Sequence, residues 1–341
     1  MNVKDTRILR RCKRKIEKRL ARREWAEQRR PMVAVRGPWE KVLVELGRIA
    51  GNWQVCFEAS CGYGWLYERL KRMAQKVVVA HPGQLRLIFR SKRKNDRVDA
   101  EKLAKLLYLD EVPAVYVPSV EVRSWRALIE HRQKLLQERV RTKNGLRALL
   151  RTHGIVSGRG LWTKKGVAWI NAQELPTRMD QLQRDILLER LEGLRGMIGR
   201  VESALAEIAE GNAGVRLLRD IPGVGIRTAE AVMAYVDDPN RFGKMKSIGS
   251  YFGLVPCQDQ SAGKNRLGHI TRQGPATVRK LLTEASWQAI RRSKTIRAYF
   301  ERIRQGNPER KKIALVATAH YLLRVMLAML RTGEVWRARA A

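Results

Sequence analysis

The sequence is short of acidic residues. Its 341 residues include 69 lysines and arginines but only 33 aspartates and glutamates, which gives a formal net charge of +36 at pH 7. A compact protein with so large an excess of one sign repels itself, so a polyanionic partner is expected. Ribosomal and chromatin proteins share this imbalance. The charge therefore indicates a nucleic-acid partner and leaves the activity open.

Cysteine is scarce as well, with four in the chain. Cys12, Cys56, Cys61 and Cys257 form no Cys-x-x-Cys pair, and no histidine lies at zinc-ligand spacing from them. The spacing therefore argues against a zinc site. A reducing intracellular compartment suits these unpaired cysteines.

Long apolar runs are also missing. The first residues, MNVKDTRILRRCKRK, lack the apolar stretch of a signal peptide. The best membrane candidate, residues 313–330, contains His320 and Arg324, which are costly in lipid. We therefore expect a cytoplasmic, nucleoid-associated protein without a membrane partner. With 44% hydrophobic residues the chain can form a packed core, and its length suggests about two domains.

The first part of the chain, residues 31–119, alternates predicted strands and helices, which indicates an α/β sheet. The run KVVVAHP has the unbroken β-branched character of a buried strand and stops at Pro82. The predicted strands are residues 32–35, 53–60, 76–82 and 112–119. The predicted helices are residues 38–50, 62–75 and 95–108.

Two long helices follow, at residues 120–152 and 179–210. The second has an apolar heptad seam, which fits either an antiparallel hairpin within one subunit or a coiled coil between subunits. The seam consists of Leu187, Leu191, Leu194, Ile198, Val201, Leu205 and Ile208. The remainder is predicted to be mostly helical, with a polar loop from Pro256 to Gly274 and a final apolar helix at residues 310–332. The predicted domains are a basic N-terminal arm (1–30), an α/β domain (31–119), a helical coiled-coil region (120–210) and a mostly α domain (211–341).

Three carboxylates form the first group that could carry chemistry. Asp96 and Asp99 stand three apart at the start of a predicted helix, so both face the same way. Glu58 lies near the end of a predicted strand, and sites form at strand ends and helix starts in open α/β sheets. Carboxylates among lysines and arginines suit Mg²⁺ beside phosphates. The same pattern also balances a helix dipole or forms ion pairs.

A glycine turn in the sequence IPGVG joins two apolar helical runs. Gly223 and Gly225 permit a tight turn with exposed backbone N–H groups at the start of the next helix, where a phosphate can bind. This is similar to a helix-hairpin-helix element, which binds the DNA backbone without regard to sequence. An ordinary turn between two helices is the alternative.

A serine in a basic loop is the third group. Ser261 is followed by Lys264, Arg266 and Arg272. Its hydroxyl could attack a phosphodiester, with the neighbouring cations stabilising the transition state. The alternative is a loop serine that bonds its own backbone, and the sequence pattern alone favours this alternative. Four tryptophans near basic residues could stack on bases, although tryptophans at helical spacing belong more often to a core. They are Trp125, Trp162, Trp169 and Trp287.

The order of these pieces resembles the DEDD-type insertion-sequence transposases. The stretches that carry the resemblance are FEASCGYG, KNDRVDA, IPGVG and YFGLVPCQDQSAG, and the similarity spans roughly residues 38–335. The resemblance implies an RNase H-like (RuvC-like) N-terminal domain, a long helical coiled-coil insertion, and a mostly α C-terminal serine domain with a helix-hairpin-helix-like element.

The resemblance also implies roles for single residues and partners. Glu58, Asp96 and Asp99 would be the second, third and fourth acids of a metal site that holds Mg²⁺. Ser261 would attack DNA and form a transient phosphoserine link. A structured guide RNA from the element itself, the bridge RNA, would pair with donor and target DNA. The protein would be a homodimer or homotetramer, with the serine and the acids of different subunits forming one site.

One departure from this family concerns the first acid of the metal site. In the family it lies on an N-terminal strand with a pattern similar to Val-Gly-x-Asp-x-x-Lys. Asp5 is the only early aspartate, and its neighbours do not match this pattern. Loss of one ligand's charge is expected to remove most activity. The expectation is a truncated, decayed or wrongly started copy, or an acid supplied in another way.

Three functions fit this sequence pattern. The first is a DNA transposase or recombinase that uses Ser261 and Mg²⁺. The second is a catalytically impaired, transposase-derived protein that binds nucleic acid without cleaving it. The third is a RuvC-like junction nuclease that uses metal-activated water.

Overall fold

The computed structural model describes residues 35, 37–88, 96–261 and 264–338. The predicted basic arm (1–30), Asp5 and, apart from Val35, the predicted strand at 32–35 lie outside these residues. The described chain divides into two compact units, of which the first ends at Val120 and the second begins at Glu121. The elements of the first unit are α1 (Trp39–Gly47), β1 (Gln54–Glu58), α2 (Tyr63–Leu70), β2 (Lys76–Ala80), α3 (Pro82–Ile88) and α4 (Asp96–Tyr108).

The described strands of the first unit form a two-stranded parallel sheet. β1 and β2 pair in register, from Gln54 opposite Lys76 to Glu58 opposite Ala80. A helix connects them, as parallel strands require. α2 packs against β2, and α4 packs against β1. The predicted α/β alternation is therefore confirmed for residues 53–108.

The predicted strand at residues 112–119 is wrong. Only Ala114 takes part in pairing, through an isolated antiparallel bridge to Ala80. The N–H of Val115 donates to the carbonyl oxygen of Val79 at 2.7 Å, and the ladder extends no further among the described residues. Pro113 and Pro118 supply the reason, because proline has no N–H to donate to a ladder.

The second unit is mostly helical. Its helices are α5 (Val120–Thr152), α6 (Lys164–Asn171), α7 (Arg178–Gly211), α8 (Ala213–Leu218), α9 (Ile226–Val236), α10 (Ser247–Tyr251), α11 (Ala276–Arg292), α12 (Lys294–Arg304) and α13 (Lys311–Thr332). Its strands are β3 (Pro256–Ser261) and β4 (Lys264–Ile270). The long helices α5, α7 and α13 agree with the predicted ones to within one or two residues.

α5 and α7 form an antiparallel hairpin within one chain. Leu135 packs with Leu194 and Ile198, whereas the later Leu146 packs with the earlier Leu191. The two helices therefore run in opposite directions. Thr177 caps α7 by accepting a hydrogen bond from the N–H of Asp180, at 3.1 Å. The predicted heptad seam is thus largely covered by α5 of the same chain. Of the two predicted arrangements, this is the antiparallel hairpin within one subunit.

The helices after α7 enclose the main core, with α13 packed along α11 and α12. Within the described residues, one helical stretch, Pro308–Thr332, is long and apolar enough by length and composition to cross a membrane, whereas the sequence predicted none. Ala319, Leu322 and Met326 of this stretch are fully buried against other helices. The stretch therefore has the burial of a core helix.

The predicted loop at residues 256–274 is a β-hairpin over most of its length. β3 and β4 pair antiparallel, with Pro256 opposite Ile270 and Ser261 opposite Lys264. Residues 256–260 of β3 are exposed, so the hairpin has no buried apolar face that a sequence pattern could reveal. Backbone pairing between the two strands gives it order.

Candidate active site

The three predicted acids belong to adjacent elements of the first unit. Glu58 ends β1 and is exposed, while Asp96 and Asp99 lie in the first turn of α4. The Nζ of Lys76, at the start of β2, lies 2.9 Å from Oδ1 of Asp110, just after α4. The end of α4 is therefore at the amino ends of the strands. Since α4 packs against β1, its first turn points towards the carboxyl end, where Glu58 lies.

The donor chemistry of these acids suits a divalent cation, because Mg²⁺ takes carboxylate oxygens and keeps water in its shell. Asp99 also forms an ion pair with Lys102, whose Nζ lies 3.7 Å from its Oδ1. Among the described residues, no group of three aspartate, glutamate, histidine or cysteine side chains is close enough to hold a metal ion. The acids therefore share one end of the unit without forming a closed ligand cluster.

The two glycines of the turn between α8 and α9 have different surroundings. Gly223 has a φ of +90°, and a Cβ there would overlap the backbone of Ala289 in α11. Gly225 is exposed, caps α9 with a φ of −84°, and a Cβ there would meet nothing within 4 Å. Gly223 therefore packs two elements together. Gly225 leaves the start of α9 open to a ligand.

Ser261 is the last residue of β3. It stands opposite Lys264 in the register, and Asp259 stands opposite the exposed Arg266. The fold thus places Ser261, Lys264 and Arg266 together at the far end of the hairpin. Arg272 lies at the other end, where its N–H donates to the carbonyl oxygen of Gly253 at 3.2 Å.

Arg279 of α11 is a residue that the sequence analysis missed. Its Nη1 donates to three backbone carbonyl oxygens: that of Phe252 before the hairpin, at 3.3 Å, and those of Gln273 and Gly274 after it, at 2.5 and 3.1 Å. Partial burial and the neighbouring Arg272 lower the pKa of Arg279. One guanidinium therefore ties both ends of the hairpin to α11. Nothing in the basic sequence of α11 distinguishes this arginine from its neighbours.

A buried carboxylate next to the glycine turn was also missed. Glu230 of α9 is 1% exposed and accepts a hydrogen bond from Nη1 of Arg227 at 2.9 Å. Burial raises the pKa of Glu230 to about 7, against the opposing effect of Arg227. Nη2 of Arg227 donates to the carbonyl oxygen of Glu202 in α7 at 2.9 Å. This pair joins the start of α9 to the long hairpin of α5 and α7.

Comparison with known proteins shows two matched regions that contain these elements. Residues 25–155 match the family model of DEDD transposases of the IS110 type, described as "Transposase". Residues 215–301 match the model described as "Transposase IS116/IS110/IS902 family". The matches identify the chain as a transposase of the IS110/IS116 type. Such proteins are DNA-cutting enzymes, so the transposase is an enzyme.

Individual relatives support the same conclusion. The transposase is 28% identical over 298 residues to the "Transposase for insertion sequence element IS1111A" of Coxiella burnetii. The aligned region covers 84% of this chain and 80% of the relative. It is 28% identical over 238 residues to the "Transposase for insertion sequence element IS1328" of Yersinia enterocolitica, with 68% of this chain and 69% of the relative covered.

The family match carries consequences for fold and cofactor. A DEDD transposase domain implies an RNase H-like fold, and transposases of this family are typically metal-dependent. A transposase is expected to be soluble and cytoplasmic and to bind DNA. Other points remain predictions: the identity of the metal, the RNA partner, the oligomeric state, the nucleoid association and the roles of single residues.

Proposed function

We propose that this transposase cuts and exchanges DNA strands through attack of the Ser261 hydroxyl on a phosphodiester. In this proposal Glu58, Asp96 and Asp99 hold Mg²⁺. The observation that supports the metal site is the direction of α4. The first turn of α4, which contains Asp96 and Asp99, points towards the end of β1 where Glu58 lies. Bound Mg²⁺ would supply Lewis-acid stabilisation of the charge on the reacting phosphate.

The serine step exchanges one phosphate ester bond for another, so the energy of the bond is conserved. A bond forms between Oγ of Ser261 and phosphorus, and the phosphorus–oxygen bond to one deoxyribose breaks, which leaves that strand with a free hydroxyl. A hydroxyl of the second strand then attacks the phosphoserine and releases Ser261. Lys264 and Arg266, at the same end of the hairpin as Ser261, would neutralise phosphate charge during both steps. Arg272, at the other end, would instead contact a more distant phosphate of the DNA backbone.

The turn at Gly225 would hold a phosphate of the DNA backbone. Its support is the exposed start of α9, where the first N–H groups of the helix have no carbonyl partner within the helix. Gly223 would contribute only by shaping this turn. Selection of the target sequence would fall to a structured guide RNA that pairs with donor and target DNA. The net charge of +36 supports a protein that holds two nucleic acids.

Replacing Ser261 by alanine tests the proposed chemistry. We expect Ser261→Ala to abolish strand exchange in an assay with the cognate RNA and DNA, while binding of both persists. Ser250→Ala, at an exposed position of α10 in the same unit, is the matched control and should keep full activity. Full recombination by Ser261→Ala would remove the serine mechanism.

A second candidate is a transposase-derived protein that binds nucleic acid without cutting it. The observation in its favour is that the described residues contain no group of three aspartate, glutamate, histidine or cysteine side chains close enough together to hold a metal ion. A strand-exchange assay of the unaltered protein with its cognate RNA separates the two candidates. A junction nuclease with metal-activated water would show a third result: cleavage that survives Ser261→Ala but is lost in Asp96→Ala.

A further inference from the structure

A cluster of cations surrounds one tryptophan on the second half of α5. Arg139, Lys143 and Arg147 are four residues apart, so they lie along one face of this helix. The Nζ of Lys143 lies 5.0 Å from the ring centroid of Trp162, and the guanidinium carbon of Arg147 lies 5.1 Å from it. Cations at such distances are attracted by the ring. Trp162 therefore orients both side chains.

Trp162 is itself held in place by the core of the hairpin. It is half-buried and packs against an apolar cluster of α5, α6, α7 and the loop before α6. The cluster consists of Leu146, Leu150, Leu161, Ile170 and Leu191. Because Trp162 has two cations over its ring, it is better suited to position charges than to stack on a base.

The cations of the cluster repel one another. Partial burial lowers the pKa of Lys143, and repulsion from Arg139, Arg147 and Arg195 of α7 lowers it further. Within the part of the chain that the structure describes, no carboxylate pairs with Arg139, Lys143 or Arg147. This charge is therefore not compensated by any carboxylate among the described residues.

The nearby carboxylates are engaged elsewhere. Glu138 faces Arg190 with 3.8 Å between Oε2 and Nη2, and Glu192 accepts from Nη1 of Arg195 at 2.9 Å. A polyanion would relieve the repulsion between the cations. The positions from 139 to 147 extend over about 12 Å of helix, so a chain of phosphates fits this face better than a single anion.

We propose that Arg139, Lys143 and Arg147, the last two positioned by Trp162, form a binding site for the phosphodiester backbone of a nucleic acid. The site lies outside the glycine turn and the serine hairpin. The inference rests on the proposed function only in that the ligand is a nucleic acid.

The test is a salt titration of the double variant Lys143→Gln/Arg147→Gln. Affinity is measured by fluorescence anisotropy with a labelled DNA duplex and, separately, with a labelled RNA stem–loop. Each phosphate contact contributes about 0.9 to the slope of log affinity against log salt concentration for duplex DNA. We expect the slope to fall by about two on the nucleic acid that binds here, which identifies it as DNA or RNA. An unchanged slope on both overturns the proposal.

The matched control is Lys134→Gln/Arg141→Gln, which removes the same charge from exposed positions on the opposite face of α5. Its slope should stay close to that of the unaltered protein. An equal fall in both double variants would mean that net charge alone matters, and would overturn the site. Lys143→Arg should retain the slope, which separates loss of charge from loss of folding. Because no strand exchange is measured, a negative result here leaves the test of Ser261 untouched.

Discussion

Gly223 and Gly225 have different roles in one short turn, because their surroundings differ. Gly223 has a positive φ and lies against the backbone of α11, so any side chain there meets both backbone strain and a steric overlap. Gly225 has neither constraint. The sequence predicted that both glycines matter, because IPGVG joins two apolar helices. Which glycine packs and which stays open depends on α11, more than sixty residues later in the chain.

We expect Gly223→Ala to lower the free energy of unfolding by about 2–6 kcal/mol, since strain and overpacking each contribute about 1–3 kcal/mol. Urea unfolding followed by circular dichroism measures the change. Gly225→Ala is the control and should change stability by less than about 1 kcal/mol. If the two variants proved equally stable, the close approach of the turn to α11 would be wrong.

Glu230 makes stability depend on pH in an unusual direction. Its pKa is about 7 in the folded protein and 4.5 in an exposed glutamate, so the folded state holds this proton more tightly than the unfolded state does. The free energy of unfolding contributed by Glu230 therefore falls as pH rises between these values. Each pKa unit corresponds to about 1.4 kcal/mol, so the fall over this range is at most about 3.5 kcal/mol.

Glu230→Gln removes this titration while keeping the size of the side chain. We expect the stability of the unaltered protein relative to Glu230→Gln to decrease between pH 4.5 and about 7 and to be flat above that range. Urea unfolding of both proteins over this range measures the difference. A relative stability that rises with pH would show that the attraction of Arg227, not burial, dominates at Glu230.

At the scale of elements, the sequence predicted correctly those helices whose apolar residues recur at helical spacing. The helices α4, α5, α7 and α13 were correct because each has apolar residues at helical spacing, and in α5, α7 and α13 these residues are buried against neighbouring helices. The serine hairpin was missed because the exposed residues of β3 give no alternation of apolar and polar side chains. The order of this hairpin comes from backbone pairing and from Arg279, and neither leaves a local sequence signal.

Arg279→Ala should loosen the hairpin selectively. Loss of hydrogen bonds from a charged donor, each worth about 1.5–3 kcal/mol, should speed amide exchange in β3 and β4 roughly tenfold or more. Hydrogen–deuterium exchange with mass spectrometry measures this, with α12 and α13 as unaffected references. Strand exchange should fall in parallel, because the hairpin carries Ser261.

The adjacent Lys280→Ala is the control for this experiment. Lys280 is exposed, and its Nζ is 4.0 Å from Oε1 of Glu284, so its loss should leave the hairpin unchanged. Equal exchange in Arg279→Ala and Lys280→Ala would mean that backbone pairing alone maintains the hairpin. In that case Arg279 would have no positioning role.

At the scale of the whole molecule, the proposed chemistry is divided between two compact units. Glu58, Asp96 and Asp99 belong to the unit that ends at Val120, and Ser261 belongs to the unit that begins at Glu121. If the serine of one subunit works with the acids of another, two inactive variants should complement each other. The pair to mix is Ser261→Ala, which keeps the acids, and Asp96→Ala, which keeps the serine.

In a symmetric dimer with two such shared sites, random mixing in equal amounts makes about half of the dimers mixed, and each mixed dimer has one intact site. We therefore expect strand exchange to recover to about a quarter of the unaltered level. Each variant alone should be inactive, and the mixture must be formed by co-expression or refolding so that subunits exchange. If the serine and the acids instead act within one chain, every site carries one of the two substitutions and the mixture stays inactive. The level of recovery thus shows whether two chains are needed to form one active site.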